Sequence, residues 1–294
     1  MFLRSMCWRK SSYWRRSWRV GPLRPAALVA AGLLARGLLG AGPAEAGGAG
    51  RLQVDVELVL AVDVSYSMDA DELALQREGY ASAIVSKEFL DALRLGPNGR
   101  IAVEYVEWAG ENEQKIVVDW RIIDGPESAK AFADAVMTAP IRRIYRTSIS
   151  GALLFAADQF DLNGFKGLRK VIDVSGDGVN NQGPPVAMAR DSVVRRGITI
   201  NGLPLLMKRS NASALDIPEL DVYYEDCVTG GPGAFVIPVE KMEEFARAIR
   251  TKLVLEVAGV VPKPAPGLIQ HASAEQPRIS CTIGEKIWMD HWSN

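Results

Sequence analysis

A long apolar strand that ends in closely spaced oxygen-bearing side chains most constrains how this chain of 294 residues can fold. Residues 54–64 are apolar at most positions, and the run leads into Asp63, Ser65 and Ser67. A strand with so few polar interruptions is typical of a parallel sheet that helices cover on both faces. Its end offers one carboxylate and two hydroxyls, which are ligands that a hard divalent cation such as Mg²⁺ prefers.

Strand and helix patterns alternate along the rest of the chain. Further strands are predicted over residues 100–108, 115–122, 169–175, 197–206 and 234–239, the first two as a hairpin. Helices are predicted over residues 69–93, 127–138, 147–160, 184–196 and 239–257, and residues 207–233 are expected to be irregular. This alternation predicts an α/β fold of three layers, with a doubly wound, mostly parallel central sheet and helices on both faces. Ligands bind such sheets at the carboxyl ends of strands, near a switch in strand order.

The first 46 residues have the pattern of a bacterial export signal peptide. Residues 1–24 are basic without any acid, an apolar run extends from Pro25 to Gly42, and Ala44-Glu45-Ala46 matches a cleavage site. The apolar run is shorter than the ~20 residues of a membrane span, so we expect cleavage and no stable span afterwards, with a retained anchor as the alternative. Arg15-Arg16 leaves the twin-arginine route open. The product would be periplasmic or secreted.

The net charge of the chain indicates the class of partner, and its cysteines indicate a disulfide. The leader holds eight of the 34 basic residues and one of the 35 acidic residues, so the remaining chain has a net charge of about −8. An acidic protein of this kind is not expected to bind nucleic acid or anionic lipid. Cys227 and Cys281 remain, and in an oxidising compartment an isolated pair favours a disulfide, with two unpaired thiols as the alternative.

Two downstream segments contain residues that could complete a site with the strand-end residues. Thr147 opens a predicted helix, and Asp177 follows a predicted strand within Gly176-Asp177-Gly178. The order of the three segments resembles the von Willebrand factor type A (vWA) domain and its metal-ion-dependent adhesion site, over roughly residues 52–257. The stretch from Arg146 to Leu153 is similar to the threonine loop of that family. The chain is also similar to exported bacterial vWA proteins of unknown function.

The resemblance implies a role for each of five residues. The hydroxyls of Ser65 and Ser67 would bind the ion directly, and Thr147, Asp63 and Asp177 would bind it directly or through water. The implied ion is Mg²⁺, with Mn²⁺ or Ca²⁺ as alternatives. Two carboxylates balance its charge, while neutral hydroxyls leave it able to accept one more oxygen. That oxygen would come from a carboxylate of a protein ligand or of an envelope-complex subunit, so the expected function is cation-dependent, adhesion-type protein binding and not catalysis.

Each motif also has a simpler interpretation. Ser65 and Ser67 could cap the following helix, for which Asp69 is itself a predicted N-cap. Thr147 could cap another helix, and Asp177-Gly178 is a common turn pair. The protein would then be a vWA scaffold with a purely structural metal or none.

An enzymatic alternative comes from residues 176–181, which are similar to the Gly-Asp-Gly-x-Asn-Asp loop of haloacid-dehalogenase-type phosphatases. Those enzymes also place a nucleophilic Asp after their first strand, here Asp63. Their acid/base Asp is replaced by Ser65 and their second loop carboxylate by Asn181, so this alternative is disfavoured. The only histidines, His271 and His291, lie near the C-terminus.

A tail over residues 258–294 would follow a vWA domain over residues 47–257. A disulfide between the two cysteines would pin this tail to the domain. Trp288 and Trp292 could then cover an apolar patch or the end of the sheet, with a frayed terminus as the alternative. Three arginines beside Thr147 could attract an acidic partner or form a solvated loop edge; they are Arg142, Arg143 and Arg146.

Overall fold

The computed structural model describes residues 50–207, 217–259, 270–271 and 277–292, and the predicted leader lies outside these ranges. The described strands are β1 (Leu52–Asp63), β2 (Ile101–Trp108), β3 (Gln114–Ile123), β4 (Phe165–Gly176), β5 (Ile198–Pro204), β6 (Phe235–Val236) and β7 (Gln270–His271). They form one sheet in the order β3-β2-β1-β4-β5-β6-β7. Strands β2, β1, β4, β5 and β6 are parallel to one another, whereas β3 and β7 are antiparallel at the edges. The predicted mostly parallel α/β sheet and the β2–β3 hairpin are therefore confirmed.

Helices cover both faces of this sheet. They are α1 (Ala70–Ile84), α2 (Lys87–Arg94), α3 (Pro126–Thr138), α4 (Ile149–Leu162), α5 (Val186–Arg195), α6 (Leu220–Tyr223), α7 (Phe245–Ala258) and α8 (Ile283–Trp292). A π-helical turn, Tyr224–Val228, continues α6, and a 3₁₀ turn, Met242–Glu244, precedes α7. No helix within the described ranges is long and apolar enough to cross a membrane.

The alternation of side chains along β1 explains the three layers. Leu58, Leu60 and Val62 pack in one buried cluster with residues of α1, α2, α3 and α7. Val59 and Ala61 face the opposite way, into a second cluster with α4, α5 and the α6 segment. Because successive strand residues point to opposite faces, a strand buried on both sides has to be apolar at nearly every position.

Several element boundaries differ from the sequence predictions. The helix predicted over residues 69–93 is two helices. The first ends with Val85 as its C-cap, and Ser86 caps the second, accepting a hydrogen bond from the Phe89 N–H at 3.2 Å. The strand predicted over residues 234–239 is only Phe235–Val236. Within the region predicted to be irregular, residues 220–228 are helical and largely buried. Residues 208–216 and the side chains of His271 and Trp292 lie outside the described part.

The strand order places the predicted site at a switch point. Strand β1 pairs with β2 on one side and with β4 on the other, so the direction in which the sheet grows reverses between β1 and β4. Val62 of β1 is in register with Ser175 of β4. Asp63 and Asp177 therefore leave the sheet together at the carboxyl ends of adjacent strands, where open α/β sheets bind their ligands.

Candidate metal site

Four of the five predicted site residues form a continuous chain of hydrogen-bonding contacts. Asp63 ends β1, fully buried, and its Oδ1 accepts a hydrogen bond from the Ser65 N–H at 2.6 Å. The hydroxyls of Ser65 and Ser67 are 2.7 Å apart. The Ser67 hydroxyl donates to Asp177 Oδ1 at 2.6 Å. The fold thus brings together side chains that are 110 residues apart in the sequence.

Thr147 lies against the same loop. Its N–H donates to the Asn181 side-chain oxygen at 3.1 Å, and the Asn181 N–H donates back to the Thr147 carbonyl at 2.9 Å. The Thr147 hydroxyl oxygen is 3.8 Å from the position that a Cβ would take on Gly178. The preceding residue, Arg146, has a φ of 80°, which is uncommon for a residue other than glycine and indicates local backbone strain.

The helix caps are provided by other residues, so the capping interpretation of the site residues is wrong. Asp69 caps α1 in a reciprocal capping box with Glu72, with both hydrogen bonds at 2.8 Å. Ser148 caps α4 and accepts from the Gly151 N–H at 3.1 Å. The hydroxyls of Ser65 and Ser67 point instead toward each other and toward Asp177.

The electrostatics of the site fit a cation. Burial, and secondarily the charge of Asp177, hold the pKa of Asp63 well above its ordinary value. Its Oδ2 is buried and makes no hydrogen bond within the described part of the chain. Two carboxylates this close in a buried place are unfavourable unless a proton or a cation compensates them. Hydroxyl and carboxylate oxygens form a set suited to a hard ion such as Mg²⁺.

Clusters of three or more His, Cys, Asp or Glu side chains able to hold a metal are absent from the described residues. The predicted set contains only two such residues, Asp63 and Asp177, and takes its other donors from hydroxyls. A vWA-type site therefore differs in composition from these clusters, and metal binding at the five residues stays a prediction.

The structure adds neighbours that the sequence did not indicate. A Cβ on Gly176 would lie 2.8 Å from both Asp63 Oδ2 and the Tyr224 hydroxyl, so a larger residue there would displace these side chains. Tyr224 is fully buried in the π-helical turn, and burial together with Asp63 raises its pKa well above the ordinary value. On the other face, the Gln76 side-chain amide donates to the Ser175 hydroxyl at 2.8 Å. Such neighbours come from distant segments, and the sequence carries no local signal for them.

The C-terminal segment is attached to this region by the predicted disulfide, which the structure contains. Cys227 in the π-helical turn and Cys281 have Cα atoms 5.3 Å apart. Arg278 adds two charge-assisted contacts, 2.6 Å to Glu225 Oε2 and 2.8 Å to Asp226 Oδ1. The segment is thus covalently and electrostatically fixed to the turn that contains Tyr224.

Helix α8 then reaches the loops of the candidate site. The Asn180 side-chain amide donates to Glu285 Oε1 at 2.8 Å, and Gly284 packs so closely that a Cβ there would meet the Asn180 carbonyl oxygen. The guanidinium of Arg146 lies 3.3 Å from the centre of the Trp288 ring. Trp288 therefore serves as a platform for an arginine beside Thr147.

The strand order and the helices on both faces define a vWA-like α/β fold, and the predicted site residues lie at its β1/β4 switch. The chain belongs to the family described as "Protein of unknown function (DUF1194)", whose model matches residues 53–261. No protein of curated function matches the chain.

Several proteins of known structure are similar to this chain. Proximal thread matrix protein 1 from the mussel byssus aligns with a TM-score of 0.51 and 15% identity over 71% of this chain and 49% of that one. Its form with a zinc-occupied MIDAS motif aligns over the same shares, at 15% identity and a TM-score of 0.49. The pilus adhesin SpaC from Lactobacillus rhamnosus GG, in its open conformation, aligns with a TM-score of 0.51 and 12% identity over 71% of this chain and 31% of that one. A von Willebrand factor type A protein from Catenulispora acidiphila aligns with a TM-score of 0.48 and 16% identity over 70% of this chain and 43% of that one.

The aligned region spans about half or less of each of those chains. At identities this low the likeness shows the fold alone.

Proposed function

We propose that this protein is a divalent-cation-dependent protein-binding module of the adhesion type. The observation that carries the proposal is the continuous contact of Ser65, Ser67 and Asp177 beside the buried Asp63, at the sheet's switch point. None of these side chains caps a helix, so helix capping does not explain the presence of two hydroxyls and two carboxylates there.

The proposed ligands are the side chains of Asp63, Ser65, Ser67, Thr147 and Asp177. Bound Mg²⁺, or Mn²⁺ or Ca²⁺ in its place, would supply positive charge to which a carboxylate of a protein partner or envelope-complex subunit adds the last oxygen. Asp63 orients the loop through the Ser65 N–H, and Asn181 fixes the backbone of Thr147. The protein thus contributes a prearranged set of oxygens, which reduces the cost of ordering on binding.

The geometry favours binding over phosphoryl transfer. Asp63, the residue that would be the nucleophile of a phosphatase, is fully buried and already accepts a hydrogen bond from the Ser65 N–H. Ser65 occupies the position of the general acid, and its hydroxyl contacts Ser67 instead. A hydroxyl does not have the pKa that general acid catalysis near neutral pH requires.

We also propose export to the periplasm or the exterior. The disulfide supports an oxidising compartment, and the basic and apolar pattern of residues 1–46 supports a cleaved leader. The exported protein would consist of the vWA domain over residues 47–257 and a tail over residues 258–294 that the disulfide pins to it.

Calorimetric titration of the protein with Mg²⁺, Mn²⁺ and Ca²⁺ tests the metal site. We expect one saturable site, lost in Asp177→Asn and in Ser67→Ala. Asp134→Asn is the matched control, since Asp134 is exposed on α3 and its ion pair with Lys130 lies at the surface. Equal binding by wild type and Asp177→Asn would refute the proposed ligand set.

Two further measurements separate the alternatives. Binding of carboxylate-bearing peptides that persists in EDTA would favour a scaffold whose metal is only structural. Phosphate release from a generic ester that disappears in Asp63→Asn would favour phosphatase chemistry. We expect peptide binding to require metal, and no phosphate release above that of the variant.

A further inference from the structure

Two arginine–aromatic stacks lie beside the candidate metal site. In the first, Tyr66 and Tyr145 stack with ring centres 4.3 Å apart and planes within 6°. The Arg143 guanidinium lies 4.2 Å from the Tyr66 ring centre and donates to the Tyr66 carbonyl at 2.8 Å. In the second, Arg146 lies on Trp288. We call these the Tyr66 stack and the Trp288 stack.

Both stacks are attached directly to the loops that would hold the metal. Tyr66 lies between Ser65 and Ser67, and Arg146 directly precedes Thr147. A β-bridge joins Ser65 to Ile144, and the Ile144 N–H donates to the Val64 carbonyl at 3.0 Å. The position of each guanidinium relative to the metal ligands is therefore set by backbone pairing and by ring stacking.

The surface has the composition of a protein-binding hot spot. Tyr66 and Tyr145 are 48% and 69% exposed, although tyrosine rings of this size are usually more covered. Tyrosine, tryptophan and arginine are the residues enriched at the energetic centres of interfaces. Rigid stacks lose little side-chain entropy when a partner docks.

The charge of the surface identifies the kind of partner. Residues 139–150 contain three arginines and no acid, although the chain without its leader is acidic overall. Of the three, Arg142 lies 3.8 Å from Glu113, while no described carboxylate lies within ion-pair distance of Arg143 or Arg146. An arginine that stacks through its face keeps N–H groups at its edge for a carboxylate.

We infer that the Tyr66 stack and the Trp288 stack are two carboxylate-binding subsites beside the metal, so that the partner presents an acidic segment with further carboxylates next to the metal-bound one. The inference rests on the proposed function and specifies its partner. The metal would select for one carboxylate, and the two arginines would select for its acidic neighbours.

Fluorescence anisotropy with labelled synthetic peptides in Mg²⁺ tests this inference. One peptide carries a single Asp between Gly and Ser residues, a second adds one Glu on each side, and a third has the same two Glu around an Asn. We expect the triply acidic peptide to bind about tenfold more tightly than the single-Asp peptide. The third peptide should bind weakly.

Arginine variants assign the selectivity to the stacks. Arg143→Gln and Arg146→Gln should each weaken the triply acidic peptide at least about fivefold while leaving the single-Asp peptide unchanged. Arg143→Lys should also weaken it, since an ammonium lacks the planar fork that stacks and binds a carboxylate together. Arg195→Gln, exposed at the end of α5, is the matched control.

The outcomes separate the two proposals. If no peptide binds in a Mg²⁺-dependent way, the proposed function fails. If peptides bind with Mg²⁺ but the triply acidic one has no advantage, or if Arg143→Gln weakens all peptides equally, the subsites are refuted. Arginine-dependent binding to phosphatidylglycerol vesicles without any peptide preference would also refute them, in favour of a membrane surface.

Discussion

Glu104 lies in the middle of β2 with both carboxyl oxygens buried and without a hydrogen bond to any described residue. Burial, with a smaller contribution from Asp119, raises its pKa from 4.5 to about 8. The folded protein therefore keeps a proton at neutral pH that the unfolded chain has already released. Stability is lost as the pH rises from 4.5 toward 8, by at most about 1.4 kcal/mol per pH unit from this group.

Glu104→Gln should remove this dependence. We expect the variant and the wild type to have similar free energies of unfolding near pH 4.5, and the variant to be the more stable at pH 8. Urea denaturation at both pH values measures the difference, with Glu127→Gln, exposed in the first turn of α3, as the control. If the free energies of unfolding of the variant and the wild type differed by the same amount at both pH values, Glu104 would be ionised inside the folded protein.

Gly176 is the second residue whose position has a testable consequence. Because a Cβ there would press on Asp63 Oδ2 and the Tyr224 hydroxyl, Gly176→Ala should lower stability by about 1–3 kcal/mol and weaken Mg²⁺ binding at least tenfold. Gly164→Ala is the matched control, since a Cβ at Gly164 meets no atom within 4 Å. Calorimetry and urea denaturation report the two effects, and metal binding equal to that of the control would contradict the expectation.

Helix α7 is fixed to the sheet by a buried charged group. Lys252, which is fully buried, contacts Asp173 of β4 at 2.6 Å and Glu256, one turn further along the helix, at 2.7 Å. Asn201 of β5 donates to Glu256 at 2.9 Å. Burial is the main reason that the pKa of Glu256 rises to about 7.

Lys252→Met should destabilise the protein by about 3–5 kcal/mol, because both carboxyl groups would remain buried without their cation. Lys130→Met, which removes an exposed ion pair with Asp134, should cost no more than about 1 kcal/mol. Thermal and urea unfolding of the two variants give the comparison. A loss for Lys252→Met no larger than for Lys130→Met would show that the buried group does not hold α7.

Elements with strong local signals were predicted from the sequence. The apolar pattern of β1 and the Asp69 capping box are local, and both are present in the structure. The α6 segment was missed although Leu220, Tyr223, Tyr224 and Cys227 have helical spacing, because the intervening acidic residues resemble a solvated loop. The break at Ser86 depends on a cap that competes with a continuous apolar pattern.

The sequence indicated which residues gather at the carboxyl edge of the sheet, although metal binding by them stays a prediction, and it did not indicate the residues packed around them. Short motifs placed Asp63, Ser65, Ser67, Thr147 and Asp177 near one another, because the ends of parallel strands meet at one edge of the sheet. Contacts such as those of Tyr224, Asn180 and Trp288 depend on how distant segments pack, and no spacing in the sequence encodes them.

At the scale of the whole molecule, the disulfide joins residues 54 apart and ties the C-terminal segment to the domain. Replacing both cysteines by alanine should lower the free energy of unfolding by about 4 kcal/mol in the chain-entropy model. Since α8 contacts Asn180 and Arg146, we also expect weaker Mg²⁺ binding. Urea denaturation and calorimetry test both, with dithiothreitol-treated wild type expected to match the variant. Unchanged metal affinity would show that α8 does not position the loops.

The same contacts have a consequence for the order of events in synthesis. Asp63 is synthesised before the helix that touches the loops at residues 146 and 180, and Cys281 must then be oxidised to form the disulfide. A nascent chain therefore has every proposed metal ligand before it has the segment that braces them. If the proposed function holds, the braced form of the site forms only after the disulfide, and therefore depends on the thiol oxidants that the chain meets after translation.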